Sequence, residues 1–187
     1  MPTANNKVNF GLENVYYSVI TDDGSGNVTF GTPARILGAV DLNLDQQGEL
    51  TPFAADNNGF YWISSSNNGY QGTLEVANIP DAFRSDVLGE LTDTAGAIYE
   101  KADVETKEFA LLFEIKGDVH KARHIMYRCK AKRPAVHGHT TEASTTPQTD
   151  TLNITAMPLL SNHVVKAKCK EGDSCYADWF TEVHEIA

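Results

Sequence analysis

Phe109-Ala-Leu-Leu-Phe-Glu-Ile-Lys116 is an extended, mostly apolar run that ends at a Gly117-Asp118 turn. Lys121 to Lys132 returns from that turn. Ile125, Tyr127, Cys129 and Ala131 fall on one parity, and His124, Met126, Arg128, Lys130 and Lys132 on the other. A period of two marks a strand with one apolar and one mostly polar face. After a loop from Arg133 to Pro147, the stretch from Thr149 to Ala156 alternates again, with Leu152, Ile154 and Ala156 against Thr151, Asn153 and Thr155. Runs of about eight to twelve residues exceed the usual strand of about five or six. Together they predict a broad antiparallel sheet with one face on a core and one polar face directed at something else.

Working outward, Val15 to Thr21 is rich in aromatic and β-branched residues and reads as a strand. Asp22 to Asn27 reads as a turn, and Val28-Thr29-Phe30 as the returning half of a hairpin. Ala39 to Asp45 alternates cleanly, with Val40, Leu42 and Leu44 against Asp41, Asn43 and Asp45. From Thr73 to Ile79, Leu74 and Val76 face inward while Thr73, Glu75 and Ala77 face out. Between these two strands lies a long loop, 46–72, dense in Gly, Asn, Ser and Asp but carrying Phe53 and Phe60-Tyr61-Trp62-Ile63. A loop of that length in a compact domain is usually functional. Its aromatic centre requires cover, either from the chain's own core or from another subunit. One helix is expected over 80–89, started by Pro80-Asp81, presenting Phe83 and Val87 on one face and closed by Gly89. Glu90 to Glu108 reads as a polar connection. A C-terminal segment, 159–187, adds a strand at His163 to Cys169, a turn at Glu171 to Ser174 and an apolar stretch from Ala177 to Val183. The fold class is mainly β: an antiparallel sandwich or barrel of eight or so strands with one short α-helix.

The chain has 187 residues, enough for one domain with a proper core, preceded by an N-terminal arm of about 1–14. Its 41% apolar and 21% charged residues are ordinary for a soluble fold. The net charge of -10 argues against tight binding to a phosphate backbone, which depends on Lys and Arg releasing counterions. The bases concentrate at Lys116, Lys121, Arg123, Arg128, Lys130, Lys132 and Arg133. They are either a solvated or acid-paired strand face, the more economical reading, or a nucleic-acid patch. Cys129, Cys169 and Cys175 are odd in number and lack a CxxC pair, so a reducing compartment with free thiols is expected. Met1 to Phe10 has no apolar core of a signal peptide, and the longest apolar run is far too short to span a bilayer.

No residue set nominates an enzyme, a metal centre or a cofactor site. His137-Gly138-His139 offers two imidazoles without a carboxylate or Cys at ligand-like spacing. Ser64-Ser65-Ser66 lacks a nucleophile elbow, and the Asp22 to Asn27 turn lacks the downstream Glu of a calcium loop. Cys169 and Cys175 flank a turn and would bridge only under oxidation.

Several segments resemble the major tail proteins (tail tube proteins) of long-tailed, siphovirus-type bacteriophages of Gram-positive hosts. They are Lys7 to Tyr17, Asn68-Gly-Tyr-Gln-Gly72, Ile79-Pro-Asp-Ala-Phe-Arg84 with Val87-Leu-Gly-Glu90, Phe109 to Glu114, Arg133-Pro134, Pro147-Gln-Thr-Asp-Thr-Leu152 and Asp178-Trp-Phe180. The resemblance implies a virion structural protein without catalytic residues. Its sandwich subunits would form hexameric rings, each ring a shared β-barrel, stacked into a tube that conducts DNA. It also implies assembly in the host bacterial cytoplasm, alongside tape-measure, tail-terminator and baseplate or distal-tail proteins, with no membrane partner. The 46–72 loop then corresponds to a subunit-contact loop, so Phe53, Phe60, Tyr61, Trp62 and Ile63 are expected against a neighbouring copy. Asp41, Asn43, Asp45, Thr73, Glu75, Thr151, Asn153 and Thr155 are expected to face the lumen. There, weak repulsion would let a duplex slide without specific binding. Arg128 and Lys130 are expected either to oppose that field or to pair with its carboxylates. The alternative is a monomeric carbohydrate-binding sandwich that stacks sugars on Tyr61, Trp62 and Tyr70. A small nucleic-acid-binding barrel using the 116–133 bases is a third option.

Overall fold

An apolar run without alternation stays extended only where both of its faces are covered. Phe109 to Phe113 is such a run, and all five residues are fully or almost fully buried. The computed structural model describes residues 10–24, 26–138, 140 and 147–186. Most of the expected N-terminal arm, Ser25 and His139 lie outside the described residues.

In chain order the strands are β1 (Leu12–Asp22), β2 (Val28–Phe30), β3 (Ala34–Ile36), β4 (Ala39–Gln47), β5 (Leu50–Ala55), β6 (Asn58–Ser65) and β7 (Gly69–Val76). Helix α1 (Asp81–Phe83) continues as a wider π-type turn over Arg84–Leu88. There follow β8 (Leu91–Thr92), β9 (Ile98–Tyr99), β10 (Glu108–Ile115), β11 (Arg123–Ala131), β12 (Asp150–Met157) and β13 (Lys166–Cys169). The main sheet runs β2-β1-β10-β11-β12-β7-β4, and its pairings are antiparallel. β3 joins the first half of β1, while β13 joins the first half of β11. The sheet is open. Its path ends at β4 on one side and at β2 and β3 on the other.

The sheet folds over itself around one core. Val15, Tyr17, Phe109, Leu111 and Phe113 from the β1–β10 half meet Leu74, Val76, Leu152 and Ile154 from the β7–β12 half. The helical segment closes this core with Phe83, Val87 and Leu88. Phe83 packs edge-on against Tyr17 (centroids 4.9 Å apart) and Phe109 (5.4 Å). Gly89 terminates it at φ 76°, the left-handed conformation that glycine adopts cheaply.

A second core lies on the opposite face of β10 and β11, where Ala110, Leu112, Ile125 and Tyr127 are covered by Leu159, Cys169, Trp179 and Val183. The expected division of β11 into one apolar and one polar parity is therefore corrected. A register shift in the β10–β11 pairing reverses the parity part way along. Ile125 and Tyr127 then enter the second core, whereas Met126, Cys129 and Ala131 enter the first.

The long loop expected at 46–72 is also corrected. It is ordered as the β5–β6 hairpin, continuous with the β4–β7 ladder through Asn68 N–H to Gln47 O (2.7 Å) and Ser66 N–H to Glu49 O (3.0 Å). Asp56 (φ 48°) and Asn57 (φ 58°) turn the tip, as a two-residue hairpin with both central φ values positive requires. The "polar connection" contains the small β8–β9 hairpin. The final apolar segment is a series of turns rather than a regular element.

That segment forms a cap. Trp179 Nε1 donates to His124 O (3.3 Å), and Tyr127 Oη donates to His184 O (2.7 Å). The Arg123 guanidinium lies 3.7 Å from the Tyr176 ring centre and 4.7 Å from that of Phe180. Cys169 and Cys175 are joined by a disulfide, with Cα atoms 6.5 Å apart, correcting the expectation of free thiols for these two residues. Cys129 is free and buried.

On β11, the His124 ring stacks on Phe113 with ring centres 5.1 Å apart. Burial, and then the positive charge of Lys168, push its imidazole pKa below the usual value; Lys166 acts the same way and Asp118 opposes them. The unfolded chain therefore binds this proton more readily than the folded one. Stability from this site is complete above the ordinary imidazole pKa and declines as pH falls through it. His124→Gln is expected to flatten the fall in melting temperature between about pH 7 and 5. An unchanged slope in a calorimetric pH series would count against this assignment.

Candidate assembly surfaces

The first surface is the polar face of β4, β7 and β12. Alternation along each strand sends Leu42, Leu44, Leu74, Leu152 and Ile154 to the first core and the intervening residues outward. Registers then align those residues across strands. Asp41, Glu75 and Thr151 form one row, and Asn43, Thr73 and Asn153 a second. Asp45, Gln71, Thr155 and Lys130 form a third, which continues to Glu108 on β10. All eight polar positions selected from the sequence thus share one face. Gln71 belongs with them. Its parity matches Thr73 and Glu75, but the glycines at 69 and 72 disguise the start of β7. Gly72 is required there, because a Cβ would run into the backbone of Asn43 on β4.

Asp41 and Glu75 stand directly opposite one another, a like-charge pairing that weakens a sheet locally. Glu75 accepts a hydrogen bond from Thr149 Oγ1. Fold stability does not explain this acidic row, and an interaction with something outside the subunit would.

The bases on the same face do not cancel it. Arg128 makes a two-pronged pair with Glu108 (2.6 and 2.8 Å), and Lys130 Nζ is 3.9 Å from Glu105. The expectation that they pair with Asp41, Asp45 or Glu75 is corrected accordingly. Arg123 faces Glu114, Lys121 faces Glu171, and Arg133 pairs with Glu100 while donating to the backbone carbonyls of Leu88, Lys101 and Val104. Much of the basic stretch holds acidic segments of its own chain.

The second surface is the β5–β6 hairpin. From Leu50 to Ser65 the only charged residue is Asp56. Phe53 pairs with Trp62 across the ladder, so these two share a face with Phe60, while Pro52 and Ile63 share the other with Tyr61 and Leu50. Phe60 is 70% exposed and Trp62 59%. None of the hairpin's side chains enters either core. With six residues in β5 and eight in β6, the ribbon projects about 20 Å beyond the β4–β7 ladder. Phe53, Phe60, Tyr61, Trp62 and Ile63 were identifiable as an aromatic cluster. Leu50 and Pro52 were missed because Pro and the surrounding turn-forming residues hide the strand.

This geometry counts against a sugar platform built on Tyr61, Trp62 and Tyr70. Tyr61 and Trp62 are consecutive on one strand and point to opposite faces. Tyr70 is half-buried on β7, with Lys166 Nζ 4.5 Å from its ring centre.

The remaining candidates carry little. His137 is exposed and its companion at 139 lies outside the described residues. In the Asp22 to Asn27 turn, Asp22 accepts from Gly24 N–H and Asp23 from Asn27 N–H, as turn chemistry requires. Among the described residues, the cluster compact enough for a metal is Cys169, Asp173 and Cys175, whose sulfurs are bonded to each other. No helix among the described residues is long and apolar enough to cross a membrane.

A family model described as phage tail tube protein matches residues 2–155. A search of curated proteins gave no match.

Proposed function

The chain belongs to the phage tail tube protein family, and we propose that its copies close edge to edge into hexameric rings whose stack conducts DNA. It is a structural protein of the virion tail, and it assembles into a tube together with other tail proteins. The proposed neighbours at the ends and along the axis of that tube are the tape-measure, terminator and baseplate or distal-tail proteins. Assembly is assigned to the host bacterial cytoplasm.

The observation that carries the ring and stack is the β5–β6 hairpin, a ribbon whose strands are apolar on both faces, whose one charge is Asp56 at the tip, and which is detached from its own body. A monomer rarely exposes such a surface without a partner for it. The free edges at β4 and at β2 and β3 supply the second requirement, since an open sheet invites pairing and ring closure removes its edges. The β4–β7–β12 face, with Asp41, Asp45 and Glu75 among neutral polar residues, is assigned to the bore. Like charge there keeps the DNA backbone from adhering.

Gel filtration and electron microscopy of the purified protein test the assembly, and a tube reconstruction tests the bore. Asp41→Lys with Asp45→Lys is expected to leave tube formation intact while creating DNA retention that falls steeply with salt, because each added base neutralises phosphate. A reconstruction that puts Asp41 and Asp45 on the outer wall would overturn the bore assignment.

A further inference from the structure

We infer that Cys169 and Cys175 form an oxidative staple that closes after the tube has assembled and locks the C-terminal cap onto the outer face of β10 and β11. This rests on the reading above that assembly occurs in a cytoplasm, where thiols are kept reduced. The cap is already seated by contacts independent of sulfur: buried Trp179 bonded to His124 O, Tyr127 bonded to His184 O, and Arg123 against Tyr176 and Phe180. Folding and assembly therefore have no need of the bond. The two cysteines are six residues apart, one at the end of β13 and one leading into the cap, so the bond ties the sheet to its cover.

Access sets the order of events. Cys169 is 1% exposed, whereas Cys175 is only half-buried. The Cys175 thiolate attacks a small-molecule disulfide such as oxidised glutathione, releasing one small thiol and leaving a mixed disulfide. The Cys169 thiolate then attacks the Cys175 sulfur and releases the second thiol. Two protein thiols lose two electrons and two protons, which leave on the two small thiols. Cys129 stays out of this chemistry, because it is buried within the first core and desolvation raises its pKa.

A structural zinc site is the competing use of the same atoms. Among the described residues only three donors converge here, and Asp173 Oδ2 already accepts the Lys170 N–H at 2.8 Å. Structural zinc takes four ligands.

The test assembles wild-type and Cys175→Ser protein in reductant and transfers half of each sample to oxidised glutathione. Alkylation with mass spectrometry reads the thiols, and calorimetry reads the melting temperature. Both proteins are expected to form tubes. Oxidation should remove the Cys169 and Cys175 thiols of the wild type, leave Cys129, and raise its melting temperature by about 5–10 °C. Cys175→Ser should not respond. Persisting thiols, an unchanged melting temperature, tubes that require the bond, or one zinc retained per reduced subunit would each overturn the staple. If neither protein forms tubes, the assembly reading fails alone, and the same thiol and melting measurements on the monomer still decide whether the staple closes.

Discussion

Phe60→Asp with Trp62→Asp yields a folded subunit that no longer polymerises. Both side chains project from one face of the hairpin, and neither contributes to a core. Burying each against a neighbour is worth about 1.5–3 kcal/mol, so losing both weakens a subunit contact by about 10²–10⁴-fold. The monomer has no reason to notice. Exposed substitutions of this kind stay within about 0.5 kcal/mol, or about 1–2 °C in melting temperature at this size. Electron microscopy of the double variant should show single subunits where the parent shows tubes, with calorimetry unchanged. Normal tubes would remove the hairpin from the assembly interface. A large fall in melting temperature would mean that the ribbon supports its own fold.

Trp179→Ala produces the opposite pattern, a loss of stability that begins inside the subunit. Trp179 is among the largest fully buried side chains, and it seals the outer face of β10 and β11. Truncating a buried Trp costs about 3–5 kcal/mol, equivalent to about 6–20 °C in melting temperature. Trp179→Phe separates packing from hydrogen bonding, since it retains most of the apolar contact and loses the bond to His124 O, worth about 1 kcal/mol. Hydrogen exchange should localise the damage to β13 and the first half of β11, which the cap covers. If Trp179→Ala melts within a degree of the parent, the cap is an accessory and the second core is not structural.

The charged groups divide along the same line between subunit and assembly. Arg128, Lys130 and Arg133 fasten acidic residues of the 100–108 segment, so the basic stretch offers little free positive charge for nucleic acid. Asp41 and Glu75 are opposed, and no basic residue pairs with either of them among the described residues. Acids tolerated against local stability on one face, with bases neutralised on that face, are what the proposed bore would require.

Much of this was legible from residue order. Period-two alternation placed Asp41, Asn43, Asp45, Thr73, Glu75, Thr151, Asn153 and Thr155 on outward parities, because a strand offers only two sides. Pro80 and Gly89 bracketed the helical segment, since backbone limits at those residues are local. Tertiary structure decided the rest. The bulge that sends Tyr127 to one core and Cys129 to the other arises from the mismatch of two strands, and neither strand encodes it alone. The hairpin at 50–65 resembled a loop because ladder hydrogen bonds overruled poor strand propensity at Pro52, Asn58 and Gly59. Cys169 and Cys175 became partners only once the cap had seated on β11, because distance in space, which sequence does not state, determines which thiols can meet.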